Sequence, residues 1–561
     1  MANVMLNSQK NFVEYLEQVD TLVKEAQLDK SKANFIKSIK EQELLVPVVG
    51  GFSAGKSTAI NAFLGEDILS VAITPETALA TELRYTQGVS YAEAVKENGK
   101  AEKIELDKFG TLKERAGEFQ FVRLYLNNEK LEQIQPLILV DMPGFDSPLE
   151  LHNKAIMEYL ARGVHFVILE SVENGTIAMS IKKHIDNLLA LGREFSFCLS
   201  KGDLRSKDEI DEVRQNIAQD LEAEFGYEKP ITLLSKKDST AFGKLIAEIN
   251  AESIFERLFK DELKIDFIDT KSSLQTKISA LQASKDEAQN ALKELEQALK
   301  SIARTKENLA KDNPIDIQAA VSATLNAVDR ALIADMGSLA KLATNNQQAL
   351  ANEVGEVVRS TLLNEFSKQS KSQIQSLINA YKIELSGLNL SSFKVDTAWL
   401  DNSLNALSKN LNNISISTQD NSAFLGIIGI ALKQIASVVS KIVVFPWLKV
   451  ALSVITPLIA PLINLFRGKS VDEDELKAQI LPKIRAELES QITQAYSEQA
   501  EALQEVIAVS LENKFKEKQD EIDKAQAEKE QIASELETKI QGLNTINTNL
   551  EKLANQYLYA E

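Results

Sequence analysis

Cysteine, histidine, glycine and proline are all scarce in this chain of 561 residues. The single cysteine, Cys198, excludes an intrachain disulfide and a cysteine-based metal cage. The three histidines, His152, His165 and His184, do not have the spacing of a zinc site. With 22 glycines and 11 prolines, the composition favours long helices over a mainly β architecture.

Basic residues are outnumbered by acidic ones, 63 Lys and Arg against 81 Asp and Glu, for a formal net charge of −18. This balance argues against a general basic face, so we expect no nucleic-acid partner. A hydrophobic content of 44% indicates a globular protein. Because the first residues, "MANVMLNSQKNFVEYLEQVD", lack the apolar core of a signal peptide, we expect a cytoplasmic protein.

The stretch "VVGGFSAGKSTAINAFLG" begins as an apolar run and becomes a glycine-rich loop. Gly50, Gly55, Lys56 and Ser57 fit the phosphate-binding pattern G-x-x-x-x-G-K-[ST]. In such a loop the backbone N–H groups face phosphate oxygens, the lysine reaches the β- and γ-phosphates, and the serine hydroxyl binds Mg²⁺. The predicted nucleotide-binding residues here are Gly50, Gly51, Phe52, Ser53, Ala54, Gly55, Lys56, Ser57 and Thr58.

Short apolar runs alternate with helical patterns between residues 44 and 240. The expected strands are residues 44–49, 81–86, 121–126, 136–141, 164–169, 195–200 and 230–235. This alternation predicts a mostly parallel sheet flanked by helices. We therefore expect an α/β P-loop domain over residues 44–260, preceded by an N-terminal helix over residues 1–43.

Two later motifs indicate which nucleotide the loop binds. "LVDMPG" ends a strand at Asp141, which can hold Mg²⁺ through a water, and its Gly144 N–H can contact the γ-phosphate. "SKGD" ends another strand, and Asp203 can accept hydrogen bonds from the two donors that guanine has and adenine lacks. Lys201 would lie along the base plane. Ser235 and Lys236 follow the last strand and are expected beside the base, so the set predicts GTP and GDP.

Helical periodicity dominates the rest of the chain. Residues 8–43 read as one amphipathic helix, and residues 265–312 read as another that "NP" ends, roughly 70 Å long at ~1.5 Å per residue. Its period of 3.5 residues leaves Lys285 and Lys306 in two core positions. Residues 532–553 repeat this spacing. These segments favour an intramolecular antiparallel bundle over a parallel dimeric coiled coil, with a neck and trunk at residues 261–420 and a returning arm at residues 472–561.

Residues 421–471 form an apolar segment that differs in charge from the rest of the chain. Its five basic residues, Lys433, Lys441, Lys449, Arg467 and Lys469, are accompanied by no acidic residue. Prolines interrupt its uncharged half, which argues against a simple transmembrane span. We expect a hairpin that inserts into anionic membrane, the alternative being a buried hairpin of the trunk. The residues assigned to membrane contact are Lys441, Trp447, Lys449, Leu458, Ile459, Leu462, Ile463 and Arg467.

The motifs "GGFSAGKST", "PETALATEL", "DMPG" and "SKGD" resemble those of the dynamin superfamily, specifically the bacterial dynamin-like proteins. The resemblance implies that Ser53 helps to position the attacking water and a monovalent cation, whereas Phe52 replaces the usual glutamine. It also implies that Thr77, or alternatively Thr74, binds Mg²⁺ and orients that water. Catalysis in this family usually depends on association between GTPase domains.

The resemblance further implies a peripheral membrane protein in which GTP hydrolysis drives membrane remodelling or vesicle-associated secretion, alone or with partner dynamin-like proteins. Two other functions stay open at this point. One is a regulatory GTPase switch whose helical arms bind protein partners without touching lipid. The other is a pore-forming protein, which the apolar segment alone suggests and which would not need the four guanine-nucleotide motifs.

Overall fold

The computed structural model describes residues 4–51, 53–69, 79–96, 98–144, 159, 162–190, 193–235, 240–312, 316–345, 347–386, 404, 405, 408 and 472–559. Several predicted features lie outside these residues. They are Phe52, Thr74, Thr77, Lys236 and the whole membrane segment 421–471, including Lys441, Trp447, Lys449, Leu458, Ile459, Leu462, Ile463 and Arg467. Their assignments stay predictions.

Nine strands form one sheet within the described residues. They are β1 (Leu44–Gly50), β2 (Ala80–Tyr85), β3 (Tyr91–Val95), β4 (Ala101–Glu105), β5 (Phe121–Leu126), β6 (Leu137–Asp141), β7 (His165–Ser171), β8 (Glu194–Ser200) and β9 (Thr232–Leu233). Their order is β4-β3-β5-β2-β6-β1-β7-β8-β9. β1 pairs in parallel with β6 and β7, β8 pairs in parallel with β7 and β9, and β2 pairs in parallel with β5. The predicted mostly parallel sheet is therefore confirmed.

The sequence analysis missed the hairpin of β3 and β4, which pairs antiparallel at one edge of the sheet. Its strands, "YAEAV" and "AEKIE", contain charged residues and mostly small apolar ones instead of forming a continuous apolar run. The last expected strand, residues 230–235, is reduced to the two residues of β9. Both differences occur at the sheet margins, where fewer apolar side chains are needed.

The helices lie on both faces of the sheet and beyond it. They are α1 (Asn7–Glu25), α2 (Ala33–Glu41), α3 (Lys56–Leu64), α4 (Glu129–Gln133), α5 (Met179–Ala190), α6 (Lys207–Phe225), α7 (Ala241–Glu248), α8 (Ala251–Gln282), α9 (Lys285–Asp312), α10 (Ile317–Ala334), α11 (Met336–Asn345), α12 (Gln347–Ser386), α13 (Glu473–Gln531) and α14 (Leu536–Tyr557). The boundary expected at residue 260 falls inside α8, and the division into domains stays a prediction.

Two of the predicted long helices are each divided in two. The N-terminal helix is α1 and α2, although the expected apolar face of α1 is buried through Phe12, Tyr15, Leu16 and Val19. The helix expected over residues 265–312 breaks between α8 and α9, because Ser284 and Glu287 form reciprocal side-chain-to-backbone hydrogen bonds that begin a new helix. Lys285, expected in the core, is instead exposed at the start of α9 and pairs with Glu530 at 3.6 Å.

The trunk is an intramolecular antiparallel bundle. Lys277 of α8 contacts Glu528 of α13 at 2.7 Å, and Lys306 of α9 pairs with Glu505, so residue numbers rise on one side as they fall on the other. Lys306, expected in the core, is thus a half-exposed partner in an ion pair. Among the described residues, no helix has the length and apolar character needed to cross a membrane.

Candidate functional site

The glycine-rich loop joins the buried strand β1 to helix α3 at the carboxyl edge of the sheet. Gly55 has a φ of +87°, a left-handed conformation that glycine adopts without steric cost. A Cβ placed on Gly50 would lie 2.3 Å from the carbonyl oxygen of Leu169 on β7. These two positions therefore require glycine, one for its backbone conformation and the other for close approach.

Lys56 begins α3 and turns its side chain back over the loop. Its Nζ donates hydrogen bonds of 3.0 Å to the carbonyl oxygens of Gly50 and Gly51, and only 7% of the residue is exposed. The ammonium group is thus held beside the loop whose N–H groups are expected to bind phosphate. Helix α3 adds the partial positive charge of its N-terminus at the same place.

Ser57 and Asp141 connect the phosphate loop to the D-M-P-G motif. The Ser57 hydroxyl donates a 2.8 Å hydrogen bond to Oδ2 of Asp141, which lies at the end of β6. Asp141 is buried, and its Oδ1 has no hydrogen-bond partner among the described residues. Burial raises the pKa of Asp141 to about 6, although the Ser57 hydrogen bond and the Lys56 charge oppose that rise.

These two side chains fit a magnesium ion, because Mg²⁺ prefers oxygen ligands and commonly uses one or two protein groups together with phosphate and water. The available carboxylate oxygen of Asp141 and the Ser57 hydroxyl are such ligands. Within the described residues, no cluster of three or more His, Cys, Asp or Glu side chains could hold a metal by itself. Phosphate and water oxygens would complete the coordination, as is common for Mg²⁺ in phosphate-binding sites.

The S-K-G-D motif lies beside the phosphate loop. A Cβ placed on Gly55 would be 3.8 Å from Cβ of Ser200, the last residue of β8. The turn that follows is compact: the Gly202 N–H donates to the Leu234 carbonyl oxygen at 2.9 Å, and a side chain at Gly202 would meet Leu233 at 2.9 Å. Asp203 lies half-buried in this turn, next to the end of β9.

Glu173 is a residue of this region that the sequence analysis missed. Its carboxylate forms an ion pair with Lys201 and its carbonyl oxygen accepts a 2.9 Å hydrogen bond from Arg205. The Lys201 hydrogen bond lowers the pKa of Glu173. Buried Glu170 fixes the loop that carries Glu173, because it accepts hydrogen bonds from Asn174 and from the backbone N–H of Ala178. No feature of the sequence marked this loop.

The remaining predicted site residues are placed as follows. Ser53 is exposed in the phosphate loop with a φ of +59°, Ala54 is buried, Thr58 is half-buried in α3, and Gly144 and Ser235 are half-buried after β6 and β9. Asn61, which the sequence analysis also missed, forms two hydrogen bonds with the backbone of Leu69, of 2.9 and 3.0 Å. Asn61 thereby holds Leu69 in place, the last residue described before Thr74 and Thr77 in the chain.

Comparison with known proteins finds one family model that matches part of the sheet domain. Residues 46–191 match the model of the Dynamin family. An uncharacterized protein in the xynA 3' region of Caldicellulosiruptor sp. (strain Rt8B.4) is 23% identical over 232 residues, which are 38% of this chain and 54% of that protein. Dynamin-like protein 2 of Campylobacter jejuni is 25% identical over 174 residues, 31% of this chain and 28% of that protein. The chain thus spans about half the length of the first relative, 54%.

Two solved structures are similar along most of the chain. One, described as an oligomerised bacterial dynamin pair in long-range sensing and tethering of membranes, is 18% identical and covers 98% of this chain and 82% of its own, with a TM-score of 0.39. The other, the LeoA bacterial dynamin GTPase from ETEC, is 13% identical and covers 98% and 97%, with a TM-score of 0.31. At these TM-scores the likeness supports no argument about the arrangement of the whole molecule.

Proposed function

We propose that this chain, in which residues 46–191 match the Dynamin family, is a bacterial dynamin-like GTPase that hydrolyses GTP to GDP and phosphate. One observation carries the proposal. Lys56, Ser57 and Asp141 meet at the end of β1, and the S-K-G-D turn lies directly beside them. A phosphate site and a base site are therefore adjacent, at the edge of the sheet where α/β proteins bind nucleotides.

The phosphate side of the site works by positioning and charge. The N–H groups of the loop and the Lys56 ammonium would bind the β- and γ-phosphates, and the Gly50 and Gly51 carbonyl oxygens would release Lys56 for that contact. Ser57 would bind Mg²⁺ directly and Asp141 would bind it through a water. When bound, the ion neutralises charge that develops during phosphoryl transfer.

The base side of the site selects guanine. Asp203 would accept hydrogen bonds from guanine N1–H and the 2-amino group, and Lys201 would lie along the base with its ammonium held by Glu173. Ser235 and Lys236 would complete the wall of this pocket. Adenine would leave the Asp203 carboxylate without its two donors, which disfavours ATP.

The residues that act on water are assigned from the family resemblance. Ser53 would help to position the attacking water and a monovalent cation, and Thr77 or Thr74 would bind Mg²⁺ and orient that water. Association of two GTPase domains would order these segments for hydrolysis. Thr77→Ala should slow hydrolysis and spare GDP binding, and full activity of that variant with loss in Thr74→Ala would exchange the two assignments.

The proposed cellular role is membrane binding and remodelling by a cytoplasmic, peripheral membrane protein. It is supported by residues 421–471, which combine a long apolar sequence with five basic residues and no acidic one. Secretion by vesicles and partnership with other dynamin-like proteins are finer proposals of the same kind. A regulatory switch that binds proteins instead of lipid is the alternative.

Turnover measurements test the proposal directly. Release of phosphate from GTP and from ATP should be measured for the wild type, Lys56→Ala and the control Lys207→Ala, which changes an exposed lysine of α6. We expect Mg²⁺-dependent GTP turnover in the wild type and the control, and none in Lys56→Ala. Equal turnover of ATP and GTP, or activity that survives Lys56→Ala, would reject the nucleotide site as described.

A further inference from the structure

Glu82 is a fully buried carboxylate at the centre of a cluster of cations. Its Oε1 accepts hydrogen bonds of 2.8 Å from the Tyr159 hydroxyl and 2.8 Å from the Arg162 guanidinium. Its Oε2 accepts a 3.1 Å hydrogen bond from Nε of Arg84, and Nε of Arg123 lies 3.5 Å away. One carboxylate therefore holds side chains from three separate parts of the sheet domain.

The position of Glu82 places this cluster directly behind the phosphate site. Strand β2 runs antiparallel to β6, with Thr81 opposite Asp141 and Glu82 opposite Val140. Glu82 lies opposite Val140, the neighbour of Asp141 in β6, and since neighbouring residues of a strand point to opposite faces, Glu82 and Asp141 are on opposite faces of the sheet. Val140 and Tyr159 belong to the hydrophobic core on that face.

Glu82 and its partners lie in the chain near the motifs of the phosphate site. Glu82 follows Thr77 by five residues, and Tyr159 and Arg162 follow the D-M-P-G motif in the chain. Arg84 also forms bidentate hydrogen bonds of 2.6 and 2.9 Å with Glu43, which immediately precedes β1. Glu82 thus links β2 to Tyr159 and Arg162 and, through Arg84 and Glu43, to the start of β1, the strand whose other end carries the phosphate loop.

The cost of burying the Glu82 charge favours one arrangement of its partners. Burial would raise the pKa of Glu82, but Arg84 and Arg162 outweigh burial and lower it, so the carboxylate stays ionised. A buried ion pair recovers its desolvation cost only when every partner is in place with good geometry. A partial displacement of Tyr159 or Arg162 would leave the buried Glu82 carboxylate without one of its partners. These two side chains therefore have one favoured position against β2.

We propose that Glu82 is a positioning residue for GTP hydrolysis, which holds Arg84, Tyr159 and Arg162 together and so fixes β2 against the end of β6, where Asp141 lies opposite Thr81. This inference rests on the proposed GTPase function. Glu82 itself would contact neither nucleotide nor metal. Its effect is on the placement of Asp141, the proposed magnesium ligand, relative to β2.

Two variants of different severity test the role. Glu82→Gln removes the charge with little change in shape, and Tyr159→Phe removes only the hydroxyl while keeping the ring perpendicular to Phe121 at 6.4 Å. The matched control is Glu102→Gln, which alters an exposed carboxylate that pairs with Arg115 on the same domain. For each protein, kcat and KM for GTP, affinities for GDP and a non-hydrolysable GTP analogue, and the thermal midpoint should be measured.

A positioning role predicts that kcat and the preference for the GTP analogue change while the affinity for GDP does not. Both cluster variants should lower kcat, Glu82→Gln by about tenfold or more. Both should also reduce the preference for the GTP analogue over GDP. Their affinity for GDP, and all values of the control variant, should stay at those of the wild type. Wild-type kcat and analogue preference in folded Tyr159→Phe and Glu82→Gln would overturn the proposal and leave the cluster a stabilising one. If Glu82→Gln does not fold, Tyr159→Phe decides alone. The GTPase proposal is tested separately, by GTP turnover of the wild type. The role of Glu82 is tested only by how kcat and affinity in the variants differ from those of the wild type.

Discussion

The ammonium nitrogen of Lys183 lies 2.9 Å from Oδ2 of Asp335, and the two side chains are only 12% and 9% exposed. Lys183 belongs to α5 of the sheet domain, whereas Asp335 lies between α10 and α11 of the trunk. Around this pair, apolar side chains of α5, α10, α12 and α13 form one continuous core with those of the sheet. The trunk is therefore packed against the domain that carries the nucleotide site.

Loss of the Lys183 charge should destabilise the protein measurably. Lys183→Met leaves Asp335 buried without its counter-ion, so we expect the free energy of unfolding to fall by about 3 kcal/mol. Lys182→Met is the matched control, because the neighbouring lysine pairs with acids of α6, Asp220 and Glu224, that are each 45% exposed. The control should lose less than about 1 kcal/mol. Urea denaturation measures both, and equal losses would contradict the expectation.

The raised pKa of Asp141 makes a second prediction, about pH. Its pKa is about 6 in the folded protein and near 3.8 unfolded, so the folded state retains a proton that the unfolded state has lost between these values. The free energy of unfolding should therefore fall as pH rises through this interval and stay lower above it, by up to about 3 kcal/mol. Asp141→Asn should lack this fall and be more stable than the wild type at pH 7.5.

The measurement is urea denaturation of nucleotide-free protein at several pH values, taken as the difference between Asp141→Asn and the wild type. The difference should grow from pH 4 to pH 7 and then level off. Because Mg²⁺ needs the ionised carboxylate, Mg²⁺-dependent GTP binding by the wild type should weaken as pH falls below about 6. A difference that does not depend on pH would show that Asp141 is not the titrating group.

The parts of the fold that could be predicted are those that burial strongly constrains. Strands β1, β6, β7 and β8 are nearly continuous apolar runs, because they lie in the middle of a sheet covered on both faces. The phosphate loop was identifiable for a different reason: close approach at Gly50 and the left-handed conformation at Gly55 leave little choice of residue.

Other features could not be predicted because they depend on long-range contacts or on competing local signals. Glu173 reaches Lys201 from another strand end, and Glu82 meets Arg162 across 80 positions of the chain. The break between α8 and α9 had a local signal, the S-x-x-E pattern of Ser284 and Glu287, but the heptad spacing continued through it. Periodicity alone could not distinguish one helix from two in sequence.

Guanine selectivity gives a third prediction. Asp203→Asn should weaken GTP binding and gain binding of xanthosine triphosphate, because the amide offers a donor where xanthine has a carbonyl oxygen in place of the guanine 2-amino group. Competition against a fluorescent GDP measures both affinities. Asp208→Asn, in the exposed first turn of α6, should leave both unchanged. Equal affinity of the wild type for ATP and GTP would contradict the assignment of Asp203.

Membrane binding by residues 421–471 is the fourth prediction. Apolar burial should supply most of the affinity for anionic vesicles, and lysines near the surface about 1 kcal/mol each. Binding should weaken with salt without vanishing, because salt screens only the charge contribution. With Trp399 replaced by Phe, the fluorescence of Trp447 should shift to shorter wavelength when anionic vesicles are added.

Replacement of Leu458, Ile459, Leu462 and Ile463 by serine should abolish co-sedimentation with these vesicles and leave basal GTP turnover intact. Thr456→Ser with Asn464→Ser is the control, since it changes the same segment without removing a large apolar side chain. The acidic remainder of the chain should be repelled by an anionic surface, so contact should be confined to this segment. If the wild type stays in the supernatant at low salt with GTP and with GDP, residues 421–471 do not dock on lipid. The regulatory switch that binds protein partners is then the better account, because the nucleotide site would remain without a membrane to act on.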